Sequence, residues 1–183
     1  MNFLRGTINA EIGDITKFLC DVVVNPTTAD FKGTNRTNVA VHKEAGPELI
    51  AECLEFGTAC PGTIVVTGGY NLKSKYIFHA IEYSFDNAIR NNLRLLCKNC
   101  LDTMFYHNLH SVAFPVLPED GNSVLTESFV GLIMDAICEW CMQNPSYPVT
   151  ITFFCQKEKE YDCFINKMRA MQQNPLMRNY ISV

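Results

Sequence analysis

Short apolar runs alternate along this chain with longer segments of helical periodicity. The runs predict six strands, at residues 5–11, 21–25, 62–67, 76–80, 111–115 and 149–154. Most of them lack polar alternation, which is typical of strands covered on both faces. Helices are predicted at residues 38–56, 84–106, 123–142 and 157–171, where apolar positions recur on one helical face. This order of elements predicts an α/β sandwich with a largely parallel inner sheet.

The composition is that of a globular chain with one core. No repeat or linker divides the 183 residues, of which 48% are hydrophobic, so we expect residues 1–183 to form a single domain. Pro175 leaves residues 172–183 as a C-terminal extension of uncertain structure. The net charge of −4 argues against broad nucleic-acid binding. Since the apolar runs are far shorter than the roughly 20 residues of a membrane span, we expect no membrane segment.

The amino terminus and the cysteines indicate a reducing compartment. The first residues lack the features of a secretory signal, so we expect an intracellular protein, cytoplasmic or nuclear, whose nine cysteines are free thiols. The pairs Cys97/Cys100 and Cys138/Cys141 have zinc-ligand spacing, but they lie on apolar helix faces, where small buried thiols pack. The four histidines share no metal spacing. We therefore expect no metal, no cofactor and no catalytic nucleophile.

Five segments follow one another in an order that resembles the landmarks of macrodomains. They are Gly13-Asp14-Ile15-Thr16, Val23-Val24-Asn25-Pro26-Thr27, His42-Lys43-Glu44-Ala45-Gly46-Pro47-Glu48-Leu49, Thr67-Gly68-Gly69-Tyr70 with Lys75-Tyr76-Ile77-Phe78-His79, and Val112-Ala113-Phe114-Pro115. One such segment is a weak signal, whereas five in register are specific. The chain is identified as a macrodomain over about residues 5–171, in the Asn-Pro-Thr form that is similar to histone-fused and polymerase-fused members. The resemblance implies a three-layer α/β/α sandwich with a mixed, mostly parallel central sheet and a cleft for ADP-ribose.

The adenine end of the implied cleft follows the family pattern best. In macrodomains the Asp at the position of Asp14 holds the adenine amino group, and an aromatic residue resembling Phe154 stacks on the base. Asp14 and Thr16 are equally well explained as a turn or a helix cap. Phe154 lies at a strand end, where most Phe residues are core residues, and we prefer that interpretation to stacking.

The loop before the first helix departs from the family pattern. Macrodomains carry a second Asn and a run of glycines there, whose amides approach the distal ribose and phosphates. Here the Asn position is Thr28, and the run reads Gly33-Thr34-Asn35-Arg36, so three of four positions carry side chains. The Asp of hydrolytic members is replaced by Asn38, and an amide is no general base at neutral pH. An ordinary loop, with Thr37 or Asn38 capping the helix, explains the same residues.

The second phosphate loop departs further from the family pattern. The family places a Gly-Ser/Thr-Gly segment at a helix N-terminus, but the matching positions read Pro118-Glu119-Asp120-Gly121-Asn122-Ser123. Pro118 has no amide proton to donate. A carboxylate about 5 Å from a phosphate would cost roughly 3 kcal/mol at an effective dielectric near 20. The same segment also has the composition of a simple turn and helix cap.

Three functions follow from the resemblance, in order of preference. We expect a binding module for ADP-ribose, a related adenine nucleotide or an ADP-ribosylated protein, without hydrolase activity because Thr28 and Asn38 occupy the hydrolase positions. The alternative is a scaffold that has lost the nucleotide and binds a protein or nucleic acid, which a cleft filled by Phe31, Arg36, Leu117 and Glu119 would favour. An ADP-ribosyl hydrolase ranks third. The expected ligand residues are Asp14, Ile15, Asn25, Thr28, Gly33, Thr34, Asn35, Asn38, Val39, Pro118, Glu119, Asp120, Gly121, Asn122 and Phe154.

Overall fold

A computed structural model of the protein describes residues 6–82, 89–116 and 123–173. The strands are β1 (Gly6–Ile12), β2 (Val22–Thr27), β3 (Ile64–Gly68), β4 (Tyr76–Ile81), β5 (Ser111–Pro115) and β6 (Val149–Cys155). The helices are α1 (Arg36–Ala45), α2 (Pro47–Phe56), α3 (Ile89–Tyr106), α4 (Ser123–Gln143) and α5 (Glu158–Gln172), with a short 3-10 helix at Ile15–Lys17. Arg5 and residues 84–88, which were predicted to belong to a strand and a helix, lie outside the described residues.

The strands form one sheet in the order β1-β6-β5-β2-β4-β3. Neighbouring strands are parallel except β3 and β4, which are antiparallel. Because strand side chains alternate between faces, Val22 and Val24 enter the core beneath α3, α4 and α5, whereas Val23 enters the core beneath α1 and α2. The expected three-layer sandwich with a mixed, mostly parallel sheet is confirmed.

The prediction of one helix at residues 38–56 is wrong in two respects. It is two helices, because Gly46 has a φ of 95° and ends α1, and Pro47 occupies the first turn of α2. A Cβ atom at Gly46 would lie 2.7 Å from Nδ2 of Asn71. The first helix also begins at Arg36, with Asn35 as its cap, and not at Thr37 or Asn38.

The cysteine pairs on α3 and α4 are buried in the core. Burial raises the pKa of Cys97, Cys138 and Cys141 to about 12, so without a metal ion these groups are protonated thiols. Their burial supports the interpretation as packing residues. The described helices include none with the length and apolar character needed to cross a membrane.

β2 and β5 are paired only over two positions, so their carboxyl ends part at the edge of the sheet where crevices form in open α/β sheets. The two strands are in register only at Val22 with Val112 and at Val23 with Ala113. Further along β2, Pro26 has no N–H group to donate to a neighbour. Open α/β sheets bind ligands in such crevices at the carboxyl ends of their strands.

Candidate functional site

A pocket of about 220 Å³ lies at the carboxyl ends of β5 and β6. Three residues predicted to contact adenine, Asp14, Ile15 and Phe154, meet there. They come together because β1 and β6 are parallel neighbours, so the residues that follow both strands reach the same edge of the sheet. The lining consists of Gly13, Asp14, Ile15, Arg36, Thr37, Ala40, Pro115, Phe154 and Gln156.

Asp14 is both a helix cap and an exposed carboxylate. Its Oδ1 accepts hydrogen bonds from the backbone N–H of Thr16 at 2.9 Å and from the Thr16 hydroxyl at 2.6 Å, which caps the 3-10 helix. Its Oδ2 makes no hydrogen bond with any residue that the structure describes. The cap therefore orients the carboxylate and leaves one oxygen available at the pocket.

Phe154 forms a wall of the pocket from within the core. Only 6% of the residue is exposed, and its ring packs against that of Phe18 with centroids 4.9 Å apart. Gly13 packs beside the ring, since a Cβ atom at this position would lie 3.6 Å from it, an ordinary van der Waals distance. Phe154 thus combines the core role and the pocket position that were considered as alternatives.

A groove of about 290 Å³ continues from the pocket, with which it shares Arg36 and Gln156. It contains Thr34 and Asn35, two further predicted ligand residues. The remaining lining residues are Val116, Lys157 and Glu160. The predicted ligand residues did not include Arg36, Gln156 or Lys157. Gln156 and Lys157 directly follow β6 at the carboxyl edge of the sheet, and this position is the signal that could have identified them.

A buried hydrogen-bonded cluster lies on the other side of the loop between β2 and α1. Nδ2 of Asn38 donates to the carbonyl oxygen of Gly33 at 2.6 Å, and Oδ1 of Asn38 accepts from Nδ2 of Asn25 at 2.9 Å. Nδ2 of Asn25 also lies 3.1 Å from Nδ1 of His79, whose Nε2 lies 3.0 Å from Oγ1 of Thr67. Asn25, Asn38, His79 and Thr67 are at most 4% exposed, and we call these four side chains the amide cluster.

The Gly33 carbonyl determines the protonation pattern of the amide cluster. A carbonyl only accepts, so Asn38 must turn its NH₂ group to Gly33 and its oxygen to Asn25. Asn25 must then present its NH₂ group to both Asn38 and Nδ1 of His79. Nδ1 is therefore an acceptor, and the neutral ring donates through Nε2–H to Thr67. Oδ1 of Asn25 has no partner among the described residues, and such a buried acceptor costs about 1–3 kcal/mol.

His42 and Cys53 bring further ligand-type atoms near His79. The three residues form the one group, in the described parts of the chain, whose potential metal-binding atoms all lie within 4.8 Å. Burial, with a smaller contribution from His42, lowers the pKa of His79 to about 3, and burial raises that of Cys53 to about 11. Because Nε2 of His79 carries the proton donated to Thr67, it is not free to coordinate a metal. The geometry therefore favours a hydrogen-bonded core over a metal centre.

The other predicted ligand residues that the structure describes do not line the pocket or the groove. Gly33, Asn38 and Val39 line a separate cavity of about 530 Å³ between the loop, α1 and α2. Thr28 is exposed, and its hydroxyl donates to Oδ1 of Asp30 at 2.7 Å. The predicted residues Pro118, Glu119, Asp120, Gly121 and Asn122 lie outside the described residues.

If the chain had lost nucleotide binding, four side chains were expected to fill the cleft. The first of them, Phe31, does not line the pocket or the groove. It is 3% exposed and packs edge-on against His79, and its φ of 62° is unusual for a residue other than glycine. Arg36 lines both the pocket and the groove and leaves them open. Leu117 and Glu119 lie outside the described residues.

Comparison with known proteins identifies the family. A family model of the Macro domain matches residues 24–123, more than half of the chain. A Macro domain-containing protein of Lactiplantibacillus plantarum is 32% identical over 163 residues, which cover 87% of this chain and 94% of that protein. The chain belongs to the macro domain family, which confirms the assignment made from its five sequence segments.

Relatives with named activities are more distant. The ADP-ribose glycohydrolase MACROD2 of Homo sapiens is 28% identical over 160 residues, which cover 85% of this chain and 38% of that protein. The chain thus spans less than half the length of the MACROD relatives that it matches. A solved Oceanobacillus iheyensis macrodomain with ADP shares the fold, with a TM-score of 0.83 at 22% identity and coverage of 94% of this chain and 95% of that one.

Proposed function

We propose that this chain binds ADP-ribose or a related adenine nucleotide in the pocket and groove at the carboxyl ends of β5 and β6. The observation that carries the proposal is the pairing of Asp14 with Phe154 at one pocket. An oriented carboxylate oxygen suits the exocyclic amine of adenine, and an apolar wall suits the purine ring. The similarity to a macrodomain solved with ADP and to a relative named as an ADP-ribose glycohydrolase supports the same ligand class.

We further infer that the chain does not remove ADP-ribose from its targets. The support is the state of Asn38, which is 4% exposed and has both ends of its amide engaged by Gly33 and Asn25. An amide does not take up a proton at neutral pH, and this one is buried with one hydrogen bond made at each end. The hydroxyl of Thr28 is likewise engaged, by Asp30.

Calorimetric titration with ADP-ribose, AMP and ADP tests the binding proposal. We expect saturable heat with ADP-ribose and a thermal midpoint that rises with its concentration, because a ligand that binds only the folded state stabilises it. No heat with any of the three and an unchanged midpoint would contradict the proposal. Release of ADP-ribose from a modified protein at enzymatic rates would contradict the absence of hydrolysis.

Binding of a protein partner is the second candidate function, and the cavity beside α1 and α2 favours it. Its rim exposes Val39, Ile50 and Leu54, each about half exposed or more, and such clusters of exposed apolar side chains mark interaction surfaces. This function would be supported if the chain bound none of the three nucleotides but bound a purified partner protein. The Leu54→Asp variant should then fail to bind that partner.

A further inference from the structure

We propose that the side chains of Arg36 and Lys157 bind the phosphate groups of the nucleotide in the groove beside the adenine pocket. This inference rests on the proposed function, because it assigns the phosphate end of the same ligand. It differs from the chemistry that the family resemblance implies, in which the backbone amides of glycine-rich loops hold the diphosphate. Here two cationic side chains perform that role.

The charges in the groove differ in sign from those of the chain as a whole. The chain has a net charge of −4, whereas the groove presents two cations and one carboxylate, that of Glu160. Oε2 of Glu160 accepts a hydrogen bond from the backbone N–H of Gln156 at 2.9 Å, which holds it against the first turn of α5. Neither Arg36 nor Lys157 forms an ion pair with a carboxylate of the described residues. Both cations are exposed and available to an anion.

The position of the groove indicates which anion it takes. Because Arg36 and Gln156 line both the pocket and the groove, a ligand whose adenine occupies the pocket extends its next groups into the groove. In adenosine nucleotides those groups are the ribose and the 5′-phosphates. The guanidinium of Arg36 can donate two parallel hydrogen bonds to a phosphate, and Lys157 contributes a point charge.

Among the described residues, the backbone offers this site two helix N-termini. Helices α1 and α5 both begin at the groove, and their first amides carry partial positive charge. The first turn of α5, however, already contains Glu158 and Glu160, which offset that charge. Arg36 occupies one of the positions where the family carries glycine. We therefore assign to the Arg36 guanidinium part of the phosphate binding that the resemblance implies for backbone amides at this position.

A series of ligands and variants tests the inference. NMR titration of the whole chain with adenosine, AMP, ADP and ADP-ribose measures the affinity that the phosphates add. We expect Arg36→Gln and Lys157→Gln each to weaken ADP and ADP-ribose binding by up to about fivefold, and the double variant by roughly twentyfold. Lys157 lines the groove only, so Lys157→Gln should leave adenosine binding unchanged, whereas Arg36 also lines the pocket, so Arg36→Gln should weaken ADP binding more than adenosine binding. The exposed lysines Lys73 and Lys159 lie outside the pocket and the groove, so Lys73→Gln and Lys159→Gln serve as charge-matched controls.

The outcomes separate this inference from the proposed function. If the wild type binds ADP-ribose and the double variant keeps the full preference for phosphorylated ligands, the assignment of Arg36 and Lys157 is wrong although the function stands. Equal losses for adenosine and ADP would also overturn it, since they indicate a damaged pocket. If the wild type binds none of the four ligands, the proposed function fails, and inorganic pyrophosphate then decides the inference. If the wild type binds pyrophosphate and the double variant does not, the assignment of Arg36 and Lys157 is supported. If the wild type does not bind pyrophosphate, the assignment is wrong.

Discussion

The pocket and the groove, which together we call the open cleft, lie on one side of the loop between β2 and α1, and the amide cluster lies on the other. The two regions use their polar groups in opposite ways. In the cleft, Asp14 and Arg36 are exposed, and each keeps hydrogen-bonding capacity that no described residue uses. In the cluster, Asn38 and His79 are at most 4% exposed and make hydrogen bonds to neighbouring buried groups. The contrast shows that a residue at a family ligand position can become part of the core when its hydrogen bonds are satisfied internally.

The largest expected effect is acid unfolding through the amide cluster. Burial and His42 lower the pKa of His79 to about 3, below its unfolded value near 6.5, so the unfolded state takes up the proton first. The stabilising contribution is therefore fully present above pH 6.5 and is lost as the pH falls toward 3, at about 1.4 kcal/mol per pKa unit. Urea unfolding between pH 7 and pH 4 measures this loss, which we expect to reach about 3.5 kcal/mol.

The His79→Gln variant isolates the contribution of that ring. Burial also lowers the pKa of His42, so a weaker acid dependence in the same direction should remain in the variant. The carboxyl of Asp21 titrates lower: although burial opposes the shift, hydrogen bonds from Lys75, His110 and Ser111 lower its pKa to about 2. An unchanged pH slope in His79→Gln would show that His79 is not the source.

Removing the amide of Asn38 is the next largest expected effect. Asn38→Ala leaves the Gly33 carbonyl and Nδ2 of Asn25 without their partner, and we expect a loss of about 3 kcal/mol in the free energy of unfolding. Chemical denaturation measures it. Asn166 is exposed on α5, so Asn166→Ala should be close to neutral. A loss in Asn38→Ala no larger than in that control would contradict the structural role of the cluster.

The Asn38→Asp variant distinguishes structure from catalysis. A carboxylate in place of Nδ2 would face the Gly33 carbonyl at the present 2.6 Å separation, which disfavours its charged form. The pKa of the introduced Asp is then raised, so the variant should lose stability as the pH rises from 4 to 7. We expect no release of ADP-ribose by this variant, and a gain of hydrolysis would show that the buried position still reaches substrate.

The smallest expected effect concerns the open cleft. Asp14→Asn keeps an oxygen that can accept the cap hydrogen bond from Thr16, but it replaces the charged oxygen at the pocket. We expect unchanged stability and about tenfold weaker binding of ADP-ribose, which calorimetry measures. Asp14→Ala, which removes the cap as well, should also lose about 1 kcal/mol of stability. Unchanged affinity in both variants would remove Asp14 from the binding site.

The strands and the family could be predicted because both depend on local signals. Uniformly apolar runs indicate strands that are covered on both faces, and the observed strand ends lie within two residues of the predicted ones. The break between α1 and α2 was also encoded locally, in Gly46 and Pro47. It was missed because the apolar positions of the two helices continue one helical period across the break.

The division of the predicted ligand residues could not be predicted from their order. Gly33 and Thr34 are adjacent in the chain, yet Gly33 lines the large cavity beside α1 and α2 whereas Thr34 lines the groove. His42, Cys53 and His79 come from three separate elements and share no sequence spacing. Their proximity arises from the packing of α1 and α2 on the sheet, which no local pattern records.

The amino-acid sequence alone specifies the α/β order, the macro domain family and the chemical types present in the candidate site. It does so because burial patterns and short motifs act over a few residues. The tertiary structure decides which of those groups face solvent and which face one another. Asp14 keeps a free oxygen because it lies at the edge of the sheet, and Asn38 has none because the Gly33 carbonyl and Asn25 engage both ends of its amide. Exposure and hydrogen-bond partners are properties of the packed chain, and they separate the binding residues from the structural ones.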